Sequence, residues 1–183
     1  MGMLLIIIVV LAVAAMYFYN RLVSLKNKVE ESWSGIDVQL KRRYDLIPNL
    51  VNTVKGYASH ESETLQRVIE ARNQAMSISG SDPTAKGAAE ASLASSLKSV
   101  FALAESYPDL KANTSFVELQ KTLTEIEENV SNARRYYNAI VRDNNTAVEA
   151  FPSNLFANAF NFGKFDYFEL ENVAERSNPE VKF

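Results

Sequence analysis

The residues of this sequence that are best placed for charge chemistry are an arginine and two acids on predicted helices. Arg72 lies on the apolar stripe of its helix, so its guanidinium must either reach solvent or pair with an acid. Asp37, Lys41 and Asp45 follow one another at intervals of one helical turn. We expect Asp37 or Asp45 to be the carboxylate partner of Arg72. The alternative for the three spaced residues is a solvated ladder of ion pairs, which contributes roughly a few tenths of a kcal/mol per pair.

A catalytic centre is not predicted. His60 is the one histidine and cysteine is absent, so the sequence lacks a thiolate and the paired histidine ligands of a di-iron bundle. It also lacks a Gly-rich phosphate loop, a Gly-x-Ser-x-Gly motif and a His-Glu-x-x-His motif. A metal site made only of carboxylates is the remaining enzymatic alternative. We therefore expect a protein that is not an enzyme, with no catalytic residue, cofactor, metal or small-molecule substrate.

The overall charge argues against a nucleic-acid partner. The chain has 183 residues and a net charge of -3, with a pI near 5.3. Affinity for phosphate backbones needs a basic surface, which this composition does not supply. Roughly 160 residues follow the N-terminal segment, enough for one compact domain with its own core.

The first nineteen residues carry no charged side chain and predict a membrane anchor. As a helix, the stretch from Met3 to Tyr19 spans about 25 Å, which suits a bilayer once its terminal aromatic rings reach the interface. The alternative is a cleaved signal peptide with a cleavage site at residues 12–14. The absence of a basic residue before the apolar run favours the retained anchor.

The charges that flank this segment predict its orientation. Arg21, Lys26 and Lys28 follow the span, whereas only the terminal amine precedes it. The positive-inside rule then places the large domain in the cytoplasm. We expect a single-pass membrane protein.

Apolar spacing predicts a long first helix, from about Leu22 to Tyr57. Pro48 falls inside it, yet the phase of the apolar stripe does not change across the proline. We expect a kink rather than a break, with the Tyr44 carbonyl left unpaired by the backbone, because proline has no N–H to donate.

Three further helices follow at similar spacing. The second runs from about Ser59 to Ser77, and residues 79–83 form a loop in which Gly80 ends that helix. Asp82 is the expected N-cap of the third helix, with Pro83 in its first turn, and Tyr107-Pro108 closes it. The fourth carries an apolar stripe from Phe116 to Phe151. Asn144 lies in phase with that stripe, so it needs polar partners and would fix register.

These elements predict an all-α protein: an N-terminal transmembrane helix, then an up-down antiparallel four-helix bundle with two long helices, one kinked at a proline. We place the anchor at residues 1–20, the bundle at 21–151 and an aromatic-rich C-terminal tail at 152–183. Helix 4 returns toward the bilayer, so the tail should lie near the membrane-facing end of the bundle.

The tail is unusual because six of the ten phenylalanines in the chain fall between residues 151 and 168. Such a cluster must be covered, since contiguous exposed aromatic surface marks an interaction site. One alternative is that the tail folds back as a short helix and an extended strap on the bundle. The other is contact with the bilayer interface or a second protomer. The candidate interface residues are Phe156, Phe160, Phe162, Phe165, Tyr167 and Phe168.

Several motifs together resemble those of the LemA family of bacterial membrane proteins. They include the run from Trp33 to Val51, which contains Lys41-Arg42-Arg43-Tyr44-Asp45-Leu46-Ile47-Pro48-Asn49. Further matches are residues 54–61, Ala71-Arg72-Asn73, Ala133-Arg134, Tyr137-Asn138 and residues 151–154. Departures are Asn144-Asn145, where the family often has an aromatic residue before Asn, and the tail at residues 161–168. The resemblance covers nearly the whole chain after the anchor.

The resemblance implies a single N-terminal anchor in the bacterial inner membrane and a cytoplasmic four-helix domain, in a family that includes a magnetosome-membrane relative. It implies no known reaction. It also selects polar residues for an internal network or a binding face. These are Asp37, Arg42, Asp45, Asn49, Arg72, Arg134, Asn138 and Asn154. We favour the network, because polar groups at bundle positions usually pair with each other before they bind a ligand.

Two classes of function fit these expectations. The favoured one is a non-catalytic membrane scaffold that binds the lipid bilayer and forms a homo-oligomer or recruits other membrane proteins. Ala12, Ala14 and Ala15 support self-association, since small residues let membrane helices approach. The alternative is an accessory or adaptor subunit of a membrane protease or signalling complex.

Overall fold

The computed structural model describes residues 1–78 and 82–169. In this part of the chain all regular structure is helical, as predicted, and no strand is present. The elements are α1 (Gly2–Lys55), α2 (Ser62–Ser77), α3 (Pro83–Ala104), α4 (Pro108–Lys111), α5 (Thr114–Glu149) and α6 (Ser153–Ala159).

Helix α1 joins the apolar N-terminal segment and the first predicted helix into one element of 54 residues that continues through Pro48. Large apolar side chains between Met3 and Tyr17 are exposed, whereas Leu22, Val29 and Ile36 are buried. Within the described residues, α1 is the one helix long and apolar enough to cross a membrane. The expectation of a long apolar N-terminal helix is confirmed.

Helix ends follow local side-chain chemistry. Asp82 caps α3 as predicted, because its carboxylate accepts a hydrogen bond of 2.8 Å from the Ala85 N–H, and Pro83 occupies the first turn. Asn113 caps α5 in the same way, through a 2.9 Å bond from the Phe116 N–H. The expectation for Gly80 lies outside the described residues.

Two boundaries differ from the predictions. Helix α2 begins at Ser62, three residues later than expected, after a turn in which the Ala58 N–H bonds to the Val54 carbonyl at 2.8 Å. The single-turn helix α4 was not predicted. It forms because Pro108 cannot continue α3 but suits the first position of a new helix.

The chain divides into two compact units, and both long helices contribute residues to each. The first unit comprises Met1–Ile36 and Asn132–Tyr167, and the second comprises the described residues between Asp37 and Ser131 together with Phe168 and Glu169. Buried apolar residues of the first unit include Leu22, Val29, Val141, Ala147 and Ala157. Those of the second include Leu40, Leu50, Val68, Leu93, Phe116 and Ile126.

In the first unit, α6 ends in a turn that directs the chain into an extended segment. Asn161 has a φ of 57°, a left-handed conformation that asparagine tolerates better than most residues. The Phe162 N–H bonds to the Ala157 carbonyl at 2.9 Å and the Asn161 N–H to the Asn158 carbonyl at 3.5 Å, which is the Schellman pattern of a helix C-terminus. We call residues 160–169 the strap.

Candidate functional site

A buried group of charged side chains occupies the second unit. Arg43, Tyr44, Lys86, Glu90 and Glu127 form what we call the ionic cluster. Arg43 lies in the same helical phase as the buried residues Leu40 and Ile47, and Lys86 and Glu90 share the phase of Leu93 and Leu97. The helices therefore present these charges to the interior.

Arg43 is the centre of the ionic cluster. Its Nη1 donates to a carboxylate oxygen of Glu127 and its Nη2 to a carboxylate oxygen of Glu90. The Tyr44 hydroxyl donates to the second oxygen of Glu90. Arg43 and Glu90 are only 2% and 1% exposed, whereas the Glu127 side chain is 45% exposed. These contacts tie α1 to α3 and α5 within the second unit.

Lys86 supplies the second buried cation, at 3% exposure. Its Nζ donates a 2.8 Å hydrogen bond to the Ala75 carbonyl in the last turn of α2 and lies 5.3 Å from the centroid of the Tyr44 ring. A cation at a helix C-terminus is favourable because the last carbonyls carry partial negative charge. Lys86 thus connects α3 to the end of α2 and to α1.

Arg72 has a different partner from the one expected. Its Nε donates a 2.8 Å hydrogen bond to the backbone carbonyl of Tyr44. Four residues after Tyr44, Pro48 offers no N–H, so this carbonyl lacks its ordinary helical donor. The expectation of Asp37 or Asp45 was wrong: in the described residues neither acid pairs with Arg72, because the proline creates a nearer acceptor.

The electrostatics of the ionic cluster favour a structural role. Burial raises the pKa of the Tyr44 hydroxyl above its ordinary value, and the hydrogen bond to Glu90 adds to this shift. The phenol therefore remains protonated and cannot act as a base. Two cations and two carboxylates balance in charge when all are ionised. The Arg43 Nε is buried and has no partner among the described residues, so Arg43 has an incompletely satisfied guanidinium.

Most of the predicted polar network of α1 is not assembled. Asp37, Arg42, Asp45 and Asn49 are all exposed. Arg42 is in contact with Gln39 on its own helix, through a 3.4 Å hydrogen bond. Asp37 does act on the ionic cluster at a distance, because its negative charge contributes to raising the pKa of Tyr44.

The other predicted network residues are half-buried. Arg134, Asn138 and Asn154 lie in the first unit, and Arg72 lies in the second. Asn138 has at least one interaction partner within the protein. The Asn154 Oδ1 is buried with no partner among the described residues. The eight predicted residues are thus divided between the two units, and their role as a network or a binding face stays a prediction.

Sequence reasoning chose Arg42 where the buried residue is Arg43, and it missed Lys86, Glu90 and Glu127. A signal was present for three of the four missed residues. Arg43 continues the apolar spacing Ile36, Leu40 and Ile47, and Lys86 and Glu90 continue that of α3. Charged residues on an apolar stripe predict a buried pair when they occur on more than one helix. Glu127, which is partly exposed, gives a weaker signal.

The aromatic residues of the tail meet the aromatic end of the apolar segment within the first unit. Phe156 stacks on Phe18 with ring centroids 5.2 Å apart. Phe160 and Phe162 approach Tyr19 edge to face, at 5.0 and 5.8 Å. Such pairs add roughly 0.5 to 1.5 kcal/mol to the effect of the buried area. Of the other candidate interface residues, Phe165 is half-buried and Tyr167 is exposed.

Side chains of α5 hold the strap by its backbone. The Asn145 amide donates to the Phe165 carbonyl and accepts from the Phe165 N–H, both at 2.9 Å. Asn144, which is 1% exposed, donates to the Gly163 carbonyl at 3.3 Å, so it has the polar partner that its buried position required. The Tyr137 hydroxyl donates to the Asp166 carbonyl at 2.9 Å. Burial and the nearby Asp166 charge raise the pKa of Tyr137 to about 12.

The end of the strap packs against α3 in the second unit. Phe168 is fully buried, and the Glu169 carbonyl lies so close to Gly87 that a Cβ atom there would collide with it. A glycine is needed at this position because of the close approach of two backbones.

Helical structure throughout the described residues, an exposed apolar N-terminal helix and buried charges that pair with one another define a helical protein with one candidate membrane span. Comparison of the sequence with protein families identifies the particular one. The model of the LemA family matches residues 32–183, and the chain belongs to this family.

The sequence is also similar to individual proteins, one of which is named LemA. Protein LemA of Metamycoplasma hominis is 25% identical over 172 residues, which cover 90% of this chain and 78% of that protein. Magnetosome protein MamQ 2 of Paramagnetospirillum magneticum is 21% identical over 175 residues, or 82% of this chain and 64% of that protein. MamQ of Magnetospirillum gryphiswaldense is 21% identical with the same coverage. The match therefore spans less than two thirds of the length of the MamQ proteins.

Proposed function

We propose that this chain is a single-pass, non-catalytic membrane scaffold that self-associates or recruits other membrane proteins. The observation that carries the proposal is the continuity of α1. One helix contains both the exposed apolar segment from Met3 to Tyr17 and the buried positions from Leu40 to Val54. A helix of this kind holds a folded domain at a membrane surface, since lipid covers the first part and protein covers the second.

The ionic cluster supports a structural rather than a catalytic role. Arg43, Lys86 and Glu90 are all buried, and each satisfies a partner within the protein. A reacting group must reach its substrate, and it needs a pKa suited to proton transfer near the working pH. Tyr44 is displaced from that range by its raised pKa. In this proposal, buried charges specify which helices pair, as they do in other helical assemblies.

The finer architecture belongs to the same proposal. We propose that the long helices form an up-down antiparallel bundle, kinked at Pro48 and located in the cytoplasm at the inner membrane. Support for a bundle comes from the ionic cluster and Arg72, which connect α1, α2, α3 and α5 within the second unit. Arg21, Lys26 and Lys28 directly after the apolar segment support the cytoplasmic orientation.

Crosslinking in intact membranes, followed by mass spectrometry, tests the scaffold proposal. We expect crosslinks between copies of the chain or to several membrane proteins. Crosslinks to one membrane enzyme alone would support the adaptor function instead. Catalytic turnover by the purified chain, or its complete release from membranes by alkaline carbonate, would contradict the proposal.

A further inference from the structure

A cleft of about 450 Å³ lies within the first unit, where the strap passes over one face of α1. Tyr19, Val23, Lys26 and Asn27 line it from α1, at intervals of four, three and one residues that place them on one side of the helix. The strap contributes residues 160–165. The cleft is therefore aromatic where α1 leaves the apolar segment and polar one to two turns later.

Its lining contains two basic side chains and no acidic one among the residues that the structure describes. Lys26 comes from α1 and Lys164 from the strap, and their side chains are 52% and 59% exposed. Glu149 accepts a 2.8 Å hydrogen bond from Lys164, and Glu30 lies 3.9 Å from the Lys26 Nζ. Because an ammonium has three N–H donors, each lysine can bind a further acceptor in the cleft.

The position of the cleft along α1 matches the headgroup layer of a bilayer. Tyr19 ends the apolar segment, and Lys26 follows about 10 Å further along the helix axis. Each headgroup region is roughly 5 to 8 Å thick, given the difference between the full bilayer and its hydrocarbon core. When the segment from Met3 to Tyr19 spans the membrane, a lipid phosphate lies between the level of Tyr19 and that of the lysines.

We infer that this cleft binds the phosphate of one phospholipid headgroup through Lys26 and Lys164. Tyr19, Phe160 and Phe162 line the apolar end of the cleft, where the glycerol and the first carbons of the acyl chains would pack. Asn27 and Asn161 offer amide donors to the headgroup. This inference rests on the proposed membrane anchoring and names a specific lipid contact for it.

Native mass spectrometry of the full-length chain, purified in detergent, tests the inference. The probes are dioleoylphosphatidylglycerol, dioleoylglycerol, which has the same chains but no phosphate, and inorganic phosphate. We expect one bound phosphatidylglycerol per chain, retained at least about tenfold better than dioleoylglycerol. Equal retention of the two lipids, or displacement of phosphatidylglycerol by millimolar inorganic phosphate, would overturn the inference.

Charge variants identify the site. K26Q/K164Q should lose at least about tenfold in retention of phosphatidylglycerol, and K26R/K164R should restore it. The matched control is K28Q/R142Q, which removes two positive charges of the first unit that do not line the cleft. An equal loss in both glutamine variants would overturn the inference, since it would show general charge attraction. All these residues are exposed, so folding is not at risk.

Carbonate extraction separates this inference from the proposed function. If the chain resists extraction but retains phosphatidylglycerol no better than dioleoylglycerol, only the cleft assignment is wrong. If carbonate releases the chain, both proposals are wrong.

Discussion

The two units of this protein hold their segments together by different kinds of interaction. In the second unit, Arg43, Lys86 and Glu90 hold helices together through buried charges. In the first, Asn145 and Tyr137 hold the strap through neutral hydrogen bonds to its backbone. Buried charges depend strongly on the presence of every partner, whereas amides and hydroxyls cost less to desolvate than charges do. The comparison suggests that the second unit is specified by charge and the first by aromatic packing and backbone recognition.

The strongest test of this comparison is removal of the acid of the ionic cluster. Glu90→Ala leaves the Arg43 charge and the Tyr44 hydroxyl without their buried partner. We expect the free energy of unfolding to fall by about 3 to 5 kcal/mol. Chemical denaturation of the full chain in detergent measures it. Glu128→Ala is the control, because Glu128 is exposed on α5 and its loss should change stability by less than about 0.5 kcal/mol. Similar values for the two variants would contradict a charge-specified second unit.

The next test concerns the carbonyl that Pro48 leaves without a donor. Arg72→Met removes the hydrogen bond to the Tyr44 carbonyl and should cost about 1 to 3 kcal/mol. Pro48→Ala restores a backbone N–H, so the same arginine substitution in that background should cost at least about 1 kcal/mol less. Denaturation of the four chains gives this coupling energy. Additive effects would show that Arg72 does not replace the missing helical bond. Arg67→Met, on the same helix and exposed, serves as the control.

Alanine substitutions at two helical glycines should change the free energy of unfolding in opposite directions. Gly87→Ala should destabilise the chain by about 1 to 3 kcal/mol, because the new methyl group collides with the Glu169 backbone. Gly35→Ala meets no atom within 4 Å, so it should stabilise α1 by up to about 1 kcal/mol through helix propensity. Thermal unfolding of both variants measures the difference. Stabilisation by both would mean that the strap does not pack tightly on α3.

The smallest expected effect is a loss of stability of the first unit at high pH. The pKa of Tyr137 is raised to about 12 in the folded chain, so the unfolded chain releases this proton first as pH rises. The associated stability is complete below about pH 10 and is lost as pH approaches 12. Absorbance of tyrosinate during an alkaline titration should show a late-ionising fraction that Tyr137→Phe reduces. A variant titration identical to the original would contradict the assignment. Tyr136→Phe, which removes the hydroxyl of an exposed neighbouring ring, is the control.

Local signals in the sequence were sufficient for the start of α3 and for the apolar N-terminal helix. Asp82 and Pro83 indicate the start of α3, because helix capping involves residues that are close in the chain. The interior of the second unit was harder to predict. Arg42 and Arg43 differ by one residue, yet one helical step of 100° exposes the first and buries the second.

Partner identity could not be predicted where it depends on distant residues or on the backbone. Arg72 was expected to pair with an acid. Its partner is instead the Tyr44 carbonyl, which Pro48 of α1 leaves without a backbone donor. The docking of the strap on Asn144 and Asn145 likewise joins residues about twenty positions apart through backbone groups, which have no sequence signature. Non-local contacts of this type follow from the complete packing rather than from any motif.

The separation in sequence between Arg43 and its acids has a consequence for biosynthesis. Glu90 lies 47 residues after Arg43 and Glu127 lies 84 residues after it. At ordinary translation rates, roughly 4 to 17 seconds pass before the ribosome has added the second acid. During that interval the Arg43 guanidinium lacks its full set of acids and must stay hydrated, because an unpaired buried charge is costly. Packing of α1 through Arg43 can therefore be completed only after α3 and the first part of α5 have been synthesised.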